Sequence, residues 1–280
     1  AKYAELRTQL GNTQPHRPLH LDSGETADGV TGNVHALIEH PFATAAAALH
    51  IPADWCEILI LHINTKYCRA SMGAAGSVLN VSIGTKHDQP LETAYRVVFN
   101  YRVTAQTPDY LQVRLNAEQG PLNTRDYSIV LQAVAVEGGK TFLQLSYSYG
   151  FGAMGRLALQ TYLRTVGRSK IGFTVAGTQA DGKPRHIGGS RGVVERNTMR
   201  YYLAIEAFLG ALATPPQARF EKRLSDWFAA AERYPRQLHE MEFGEYLDMK
   251  RKERLRQQAG LRLLLIQLQE TPHVQDAGSG

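Results

Sequence analysis

The chain has 280 residues, 43% hydrophobic and 20% charged, with a formal net charge of +5. That balance excludes collagen-like, wholly disordered and disulfide-dense miniature proteins, and at roughly 150 residues per domain it suits two domains or one large domain with attachments. No apolar run reaches the roughly 18 residues that a membrane-spanning helix needs. The positive excess is mild. Only Lys250, Arg251, Lys252, Arg254 and Arg256 concentrate it, too sparse a pattern to point to a nucleic-acid partner.

Residues 2–10 read as a short helix. Segments 18–21 and 32–39 read as strands around a Gly/Asp/Ser turn at 22–29. An alanine-rich helix follows over 41–49, with Pro41 near its start, and a second over 54–61 capped by Asp54.

Cys56 and Cys68 stand twelve residues apart. On one straight strand they would be roughly 40 Å apart and could not bond. A helix through Leu61 and a strand from Asn64 would instead fold them together. The pair reads as a disulfide, the other reading being two buried thiols. The first residue is Ala1 rather than Met, which fits processing or trimming. Together these point to a periplasmic or secreted protein.

Period-two alternation then marks strands at 78–83, 95–103, 111–115 and 142–151, and the strand at 127–136 is apolar on both faces. Short connections at 107–109, 120–124 and 138–139 suit hairpins, hence an antiparallel meander with one dry face. Gly73–Gly76 and Gly188–Gly192 lack phosphate-loop or dinucleotide fingerprints and read as loops. Helical spacing returns at 153–166. A hairpin is expected from 170–176 and 184–187 around Asp181–Gly182.

A long helix over about 192–213 carries the stripe Val194, Thr198, Tyr201, Ile205, Phe208, Leu212 at three-four spacing. Pro215 and Pro216 stop it. Beyond lie helices over 217–233 (Phe220, Leu224, Trp227, Phe228) and 239–268 (Leu247, Leu255 and the Leu261–Ile266 run), then a polar tail. Leu224, Trp227 and Phe228 read as anchors for this appendage. The divisions are 1–30, an N-terminal helix and strand; 31–214, the main domain; 215–268, a helical appendage; and 269–280, a disordered tail.

One stretch resembles a known superfamily. Residues 34–39 lead through His40, Pro41, Phe42, Ala43 and Thr44 into the helix ending at Leu49, and Pro52, Asp54 and Trp55 follow as a turn into a second helix. With the element order over about 30–212, this resembles the START-like helix-grip superfamily, also called SRPBCC or birch-pollen-allergen-like. The extra elements between 150 and 190, and everything after Thr214, depart from it. The resemblance implies an α+β fold, a curved antiparallel sheet gripping a long helix, here with additional C-terminal helices. It also implies a cavity between sheet and helix for a hydrophobic molecule.

Candidate lining residues are Phe99, Tyr101, Val113, Leu145, Tyr147 and Tyr149 on the sheet, and Tyr201, Tyr202, Ile205 and Phe208 on the helix. The alternative is a fully packed core. Inward tyrosines favour a cavity, because buried hydroxyls need partners. Arg125 and Asp126 beside Tyr127 read either as a carboxylate or phosphate clamp or as a surface ion pair. On the long helix Glu195, Arg196 and Arg200 pose the same choice, with Arg196 and Arg200 on one face, either solvated or packed against the C-terminal helices.

No zinc-finger spacing or nucleophile elbow occurs, and neither metal nor cofactor is expected. The basic helix near 250–256 reads as packing on the domain or a protein partner, or as lying on an anionic membrane. The leading expectation is a non-catalytic carrier or sensor of a lipid-like or aromatic small molecule. The alternatives are a cyclase/dehydratase- or hydrolase-type enzyme using Asp126 or Glu195 near a His or Tyr, and an interaction module acting through its C-terminal helices.

Overall fold

A computed structural model describes residues 2–11, 18–165 and 170–270. The chain enters through α1 (Lys2–Gly11) and the paired strands β1 (Leu19–Glu25) and β2 (Gly29–Ile38). Both strands run further into the expected turn, which closes where Thr26 N–H donates to Gly29 O at 2.9 Å.

Two short helices follow, α2 (Phe42–Leu49) and α3 (Pro52–Leu59). Asp54 does not cap α3, contrary to expectation. Ile51 occupies the cap, Pro52 begins the helix and Asp54 sits in its first turn. Proline suits that first position because its fixed φ is helical and its missing N–H would have no partner there.

The meander is β3 (Thr65–Gly73), β4 (Gly76–Ile83), β5 (Tyr95–Gln106), β6 (Tyr110–Gln119), β7 (Thr124–Val136) and β8 (Lys140–Phe151). All eight strands form one antiparallel sheet in the order β1-β2-β8-β7-β6-β5-β4-β3. Each meander strand pairs with its predecessor, and β8 returns to lie beside β2. Gly73 and Gly76 form the β3–β4 turn. Cys56 of α3 and Cys68 of β3 are disulfide-bonded with Cα atoms 5.1 Å apart, the helix-then-strand geometry that brings them together.

After β8 come α4 (Ala153–Arg164) and a small hairpin, β9 (Val175–Thr178) with β10 (Pro184–His186). The long helix α5 (Gly189–Gly210) then crosses the inner face of the sheet. This is the helix grip that the resemblance implies. Gly32 of β2 sets the contact: a Cβ there would stand 2.4 Å from Thr198 Oγ1 of α5. Gly32→Ala is therefore expected to cost about 1–3 kcal/mol through overpacking, read as a lower urea midpoint at unchanged slope.

Glu195 of α5 is fully buried and accepts hydrogen bonds from Ser23 Oγ (2.6 Å), Phe173 N–H (2.6 Å), Thr174 N–H (3.0 Å) and Thr174 Oγ1 (2.6 Å). It thereby fastens the insertion between β8 and α5 to β1. Almost the whole circumference of α5 is buried, because helices cover its outer side.

Those helices are α6 (Pro216–Ala231), α7 (Pro235–Leu238) and α8 (Phe243–Glu270). Pro215 and Pro216, beyond the end of α5, cap and begin α6. Trp227 Nε1–H donates to Arg200 O of α5 at 3.0 Å, and its ring stacks on Tyr246 with centroids 5.0 Å apart. Leu224, Trp227 and Tyr246 join the same apolar cluster as Val34, Trp55, Leu145 and Phe208. Arg196 reaches Ile171 O, and Arg200 reaches Glu240 at 2.9 Å, so that face of α5 meets packed chain rather than water.

The basic run on α8 is neutralised within the chain. Lys250 pairs with Glu253, Arg251 with Glu221, Lys252 and Arg256 with Asp88, and Arg254 with Glu57. The side chains of 261–270, hence of the apolar run there, lie outside the described residues, as does the expected tail beyond residue 270.

Candidate functional site

The alternation of β5 to β8 sends one set of side chains toward α5. Among them Tyr127 stacks on Tyr149 with centroids 5.3 Å apart and lies 6.2 Å from Tyr147. Tyr147 meets Tyr201 of α5 edge-on at 5.2 Å, and Tyr201 stacks on His62 at 4.7 Å. Phe99 approaches Tyr127 edge-on at 6.4 Å. The cluster thus spans sheet, helix and the α3–β3 connection.

Of the lining residues expected from sequence, Phe99, Tyr147, Tyr149 and Tyr201 come together here. Val113, Leu145 and Ile205 are buried in the surrounding apolar layer. Tyr101 is buried too, with its hydroxyl donating to Leu49 O at the end of α2 (3.4 Å). Tyr202 is turned to Glu206 on its own helix, donating at 2.6 Å, and the Phe208 ring receives the Arg223 guanidinium of α6 at 4.3 Å. Arg125 and Asp126 stand apart from the cluster, with side chains 53% and 72% exposed and 3.5 Å between Nε and Oδ2.

Tyr127 and His62 were not among the expected lining residues. A strand apolar on both faces left the direction of Tyr127 open, and nothing near His62 in the sequence signals an aromatic partner from α5.

The polar atoms of this cluster set what it can do. Tyr127 Oη and Thr124 Oγ1 lie 2.7 Å apart. The hydroxyls of Tyr147 and Tyr201 have no hydrogen-bond partner among the described residues. Tyr201 is itself only partly buried against the apolar cluster. Burial, reinforced by the neighbouring phenols, raises the pKa of Tyr147 well above the ordinary tyrosine value; burial likewise raises that of Tyr201. Both therefore stay neutral donors at physiological pH.

His62 is neutral as well. Burial first, then the nearby Arg200 and Lys250 charges, hold its pKa well below the usual imidazole range. Its Nδ1 accepts from Asn64 N–H at 3.2 Å, leaving the proton on Nε2, which is buried without a partner. A buried donor without a partner, as His62 Nε2 is, costs about 1–3 kcal/mol. The arrangement can hold a carbonyl, hydroxyl or amine within an aromatic bed. Neither acid raised by the enzyme alternative joins it, since Asp126 is outside and Glu195 is committed to its four donors. Among the described residues no three His, Cys, Asp or Glu side chains gather as a metal site.

No protein-family model matches the chain, and no curated protein matches it in sequence. Similar solved structures share 9–16% identity. A norcoclaurine synthase of Thalictrum flavum aligns over 49% of this chain and 86% of its own, with a TM-score of 0.36. Ara h 8.0201 aligns over 69% and 99%, with a TM-score of 0.37. A conserved protein of unknown function from Enterococcus faecalis aligns over 76% and 91%, with a TM-score of 0.34.

Proposed function

We propose that the protein binds a small hydrophobic molecule carrying a polar group in the interior between the sheet and α5. The observation behind this reading is the packed aromatic cluster in which the hydroxyls of Tyr147 and of the partly buried Tyr201 have no hydrogen-bond partner among the described residues. Two neutral hydroxyl donors unused by the described residues can be taken up by a guest oxygen or nitrogen, and the rings of Phe99, Tyr127 and Tyr149 provide its apolar bed. Carriage or sensing is the role we favour: among the described residues the aromatic cluster sets no carboxylate beside the neutral His62. The Cys56–Cys68 bond suits work in an oxidising compartment, periplasmic or extracellular.

Native mass spectrometry of the full chain, followed by solvent extraction, tests the reading. A co-purifying small molecule released by solvent is the expected result; a protein without one, and which also fails to take up a fluorescent probe such as anilinonaphthalene sulfonate, would refute it. Tyr147→Phe and Tyr201→Phe should each weaken guest binding roughly 5- to 10-fold, the size of one lost hydrogen bond, while leaving the melting temperature unchanged or raised.

A further inference from the structure

The opposite, outer face of the sheet carries a second set of groups unused by the interior. Strand register places them in two rows across β3, β4 and β5. Tyr67, Ser82 and Arg96 are successive cross-strand partners, and two residues along the strands so are Arg69, Asn80 and Val98. These six line a groove of about 470 Å³. Neighbouring strands are about 4.8 Å apart and residues rise about 3.4 Å, so the Arg69 and Arg96 Cα atoms, at opposite corners, are roughly 12 Å apart. Two extended arginines span that gap and can meet over its centre.

Neither guanidinium has an ion-pair partner among the described residues, whereas all five cations of the basic run on α8 have one. Between them lies Ser82, 6% exposed, whose hydroxyl also has no partner among the described residues. Asn80 is held in place by donating to Ser71 Oγ at 2.9 Å, with its carbonyl oxygen left over. Val98, 52% exposed, and Tyr67 supply apolar surface at the other two corners of the groove.

We infer that this groove is a separate binding site for a phosphate monoester with an apolar or aromatic body. Two guanidinium forks and a hydroxyl donor match the several oxygens of a phosphate group. The Ser82 hydroxyl between two arginines without ion-pair partners is free to donate to an arriving acceptor. Val98 or Tyr67, at the two remaining corners, then packs against the body of the ester, and Asn80 Oδ1 is left to accept from any hydroxyl that the ester carries.

Isothermal titration of the full chain with phenyl phosphate tests the site, with inorganic phosphate as the second probe. Phenyl phosphate should bind with sub-millimolar affinity and inorganic phosphate at least 5-fold more weakly. Arg69→Gln and Arg96→Gln should each weaken phenyl phosphate 10-fold or more, and Ser82→Ala several-fold. The double variant Arg102→Gln/Arg114→Gln removes a neighbouring cross-strand arginine pair on the same face and should stay within 2-fold of the parent. No binding at millimolar phenyl phosphate would overturn the site, as would an equal loss in the Arg102/Arg114 variant, which would mean general attraction to a cationic surface. Equal affinity for inorganic phosphate would overturn the ester assignment. A guest retained in the interior by the Arg69 variant keeps this outcome separate from the fate of the tyrosine cluster.

Discussion

Glu253→Gln is expected to lower the melting temperature by on the order of 10 °C at neutral pH, a loss of about 3–5 kcal/mol. Glu253, Lys66 and Lys250 are all fully buried where α8 crosses the α3–β3 connection. The carboxylate receives Lys66 Nζ at 3.1 Å and Lys250 Nζ at 2.8 Å. The ammonium groups also donate to carbonyls, Lys66 to Ile63 (3.0 Å) and Lys250 to His62 (2.7 Å) and Thr65 (3.0 Å). Close by, Tyr246 donates to Leu61 O at 2.8 Å. Burial depresses both lysines, and Lys250 most, to about 8, although Glu253 pulls the other way.

Removing the one acid leaves two buried ammonium groups facing each other. A base whose folded pKa lies below its unfolded value burdens the fold fully below the folded pKa, and the burden lifts as pH rises toward the unfolded pKa. The variant should therefore regain part of its stability between pH 7 and 9, as Lys250 sheds its proton. Calorimetry across that range checks it, and a variant melting within 2 °C of the parent would show that α8 is held by its apolar contacts alone.

This cluster also marks where local sequence reading stops. The strands at 78–83, 95–103, 111–115 and 142–151 were legible because each keeps one dry face, so apolar and polar residues alternate. Strand β3 shows no such alternation: Lys66, at an inward position, is fully buried because an acid 187 residues away neutralises it. The basic run on α8 read equally well as a membrane-lying helix, a partner face or a packed element. Its acids, Glu57, Asp88 and Glu221, come from other parts of the chain and carry no mark of their destination. The inward tyrosines of β8 were legible from period two, and Tyr201 from the stripe on α5. His62 and Tyr127 were not, since one lies in an irregular turn and the other on a strand apolar on both faces. The two arginines of the outer groove were individually unremarkable; only the register of three strands sets them around Ser82.

Acid should unfold the protein in a step that depends on Glu240. This carboxylate, 6% exposed between α7 and α8, receives Lys86 Nζ (2.6 Å), Lys170 Nζ (2.8 Å) and Arg200 Nη2 (2.9 Å). It joins four separate segments: the β4–β5 connection, the insertion after α4, α5 and the approach to α8. Burial works against its ionised form, but Arg200, Lys170 and Lys86 outweigh that and draw its pKa down to about 2. An acid with a depressed folded pKa stabilises fully above its unfolded value, near 4.5, and loses that contribution as pH falls through the folded value. The window is therefore about pH 4.5 to 2, and the contribution at neutral pH is on the order of 3 kcal/mol. Lys86 is itself held below its usual range by burial despite the same ion pair, so the site as a whole yields less than the carboxylate's side of it suggests. Glu240→Gln should be less stable at pH 7, because three partly or fully buried cations lose their counter-charge, and its stability should fall less steeply with acid below pH 4.5. Urea midpoints measured from pH 7 to 2.5 separate these effects, since a variant that merely loosened packing would shift the whole curve down without flattening its acid limb.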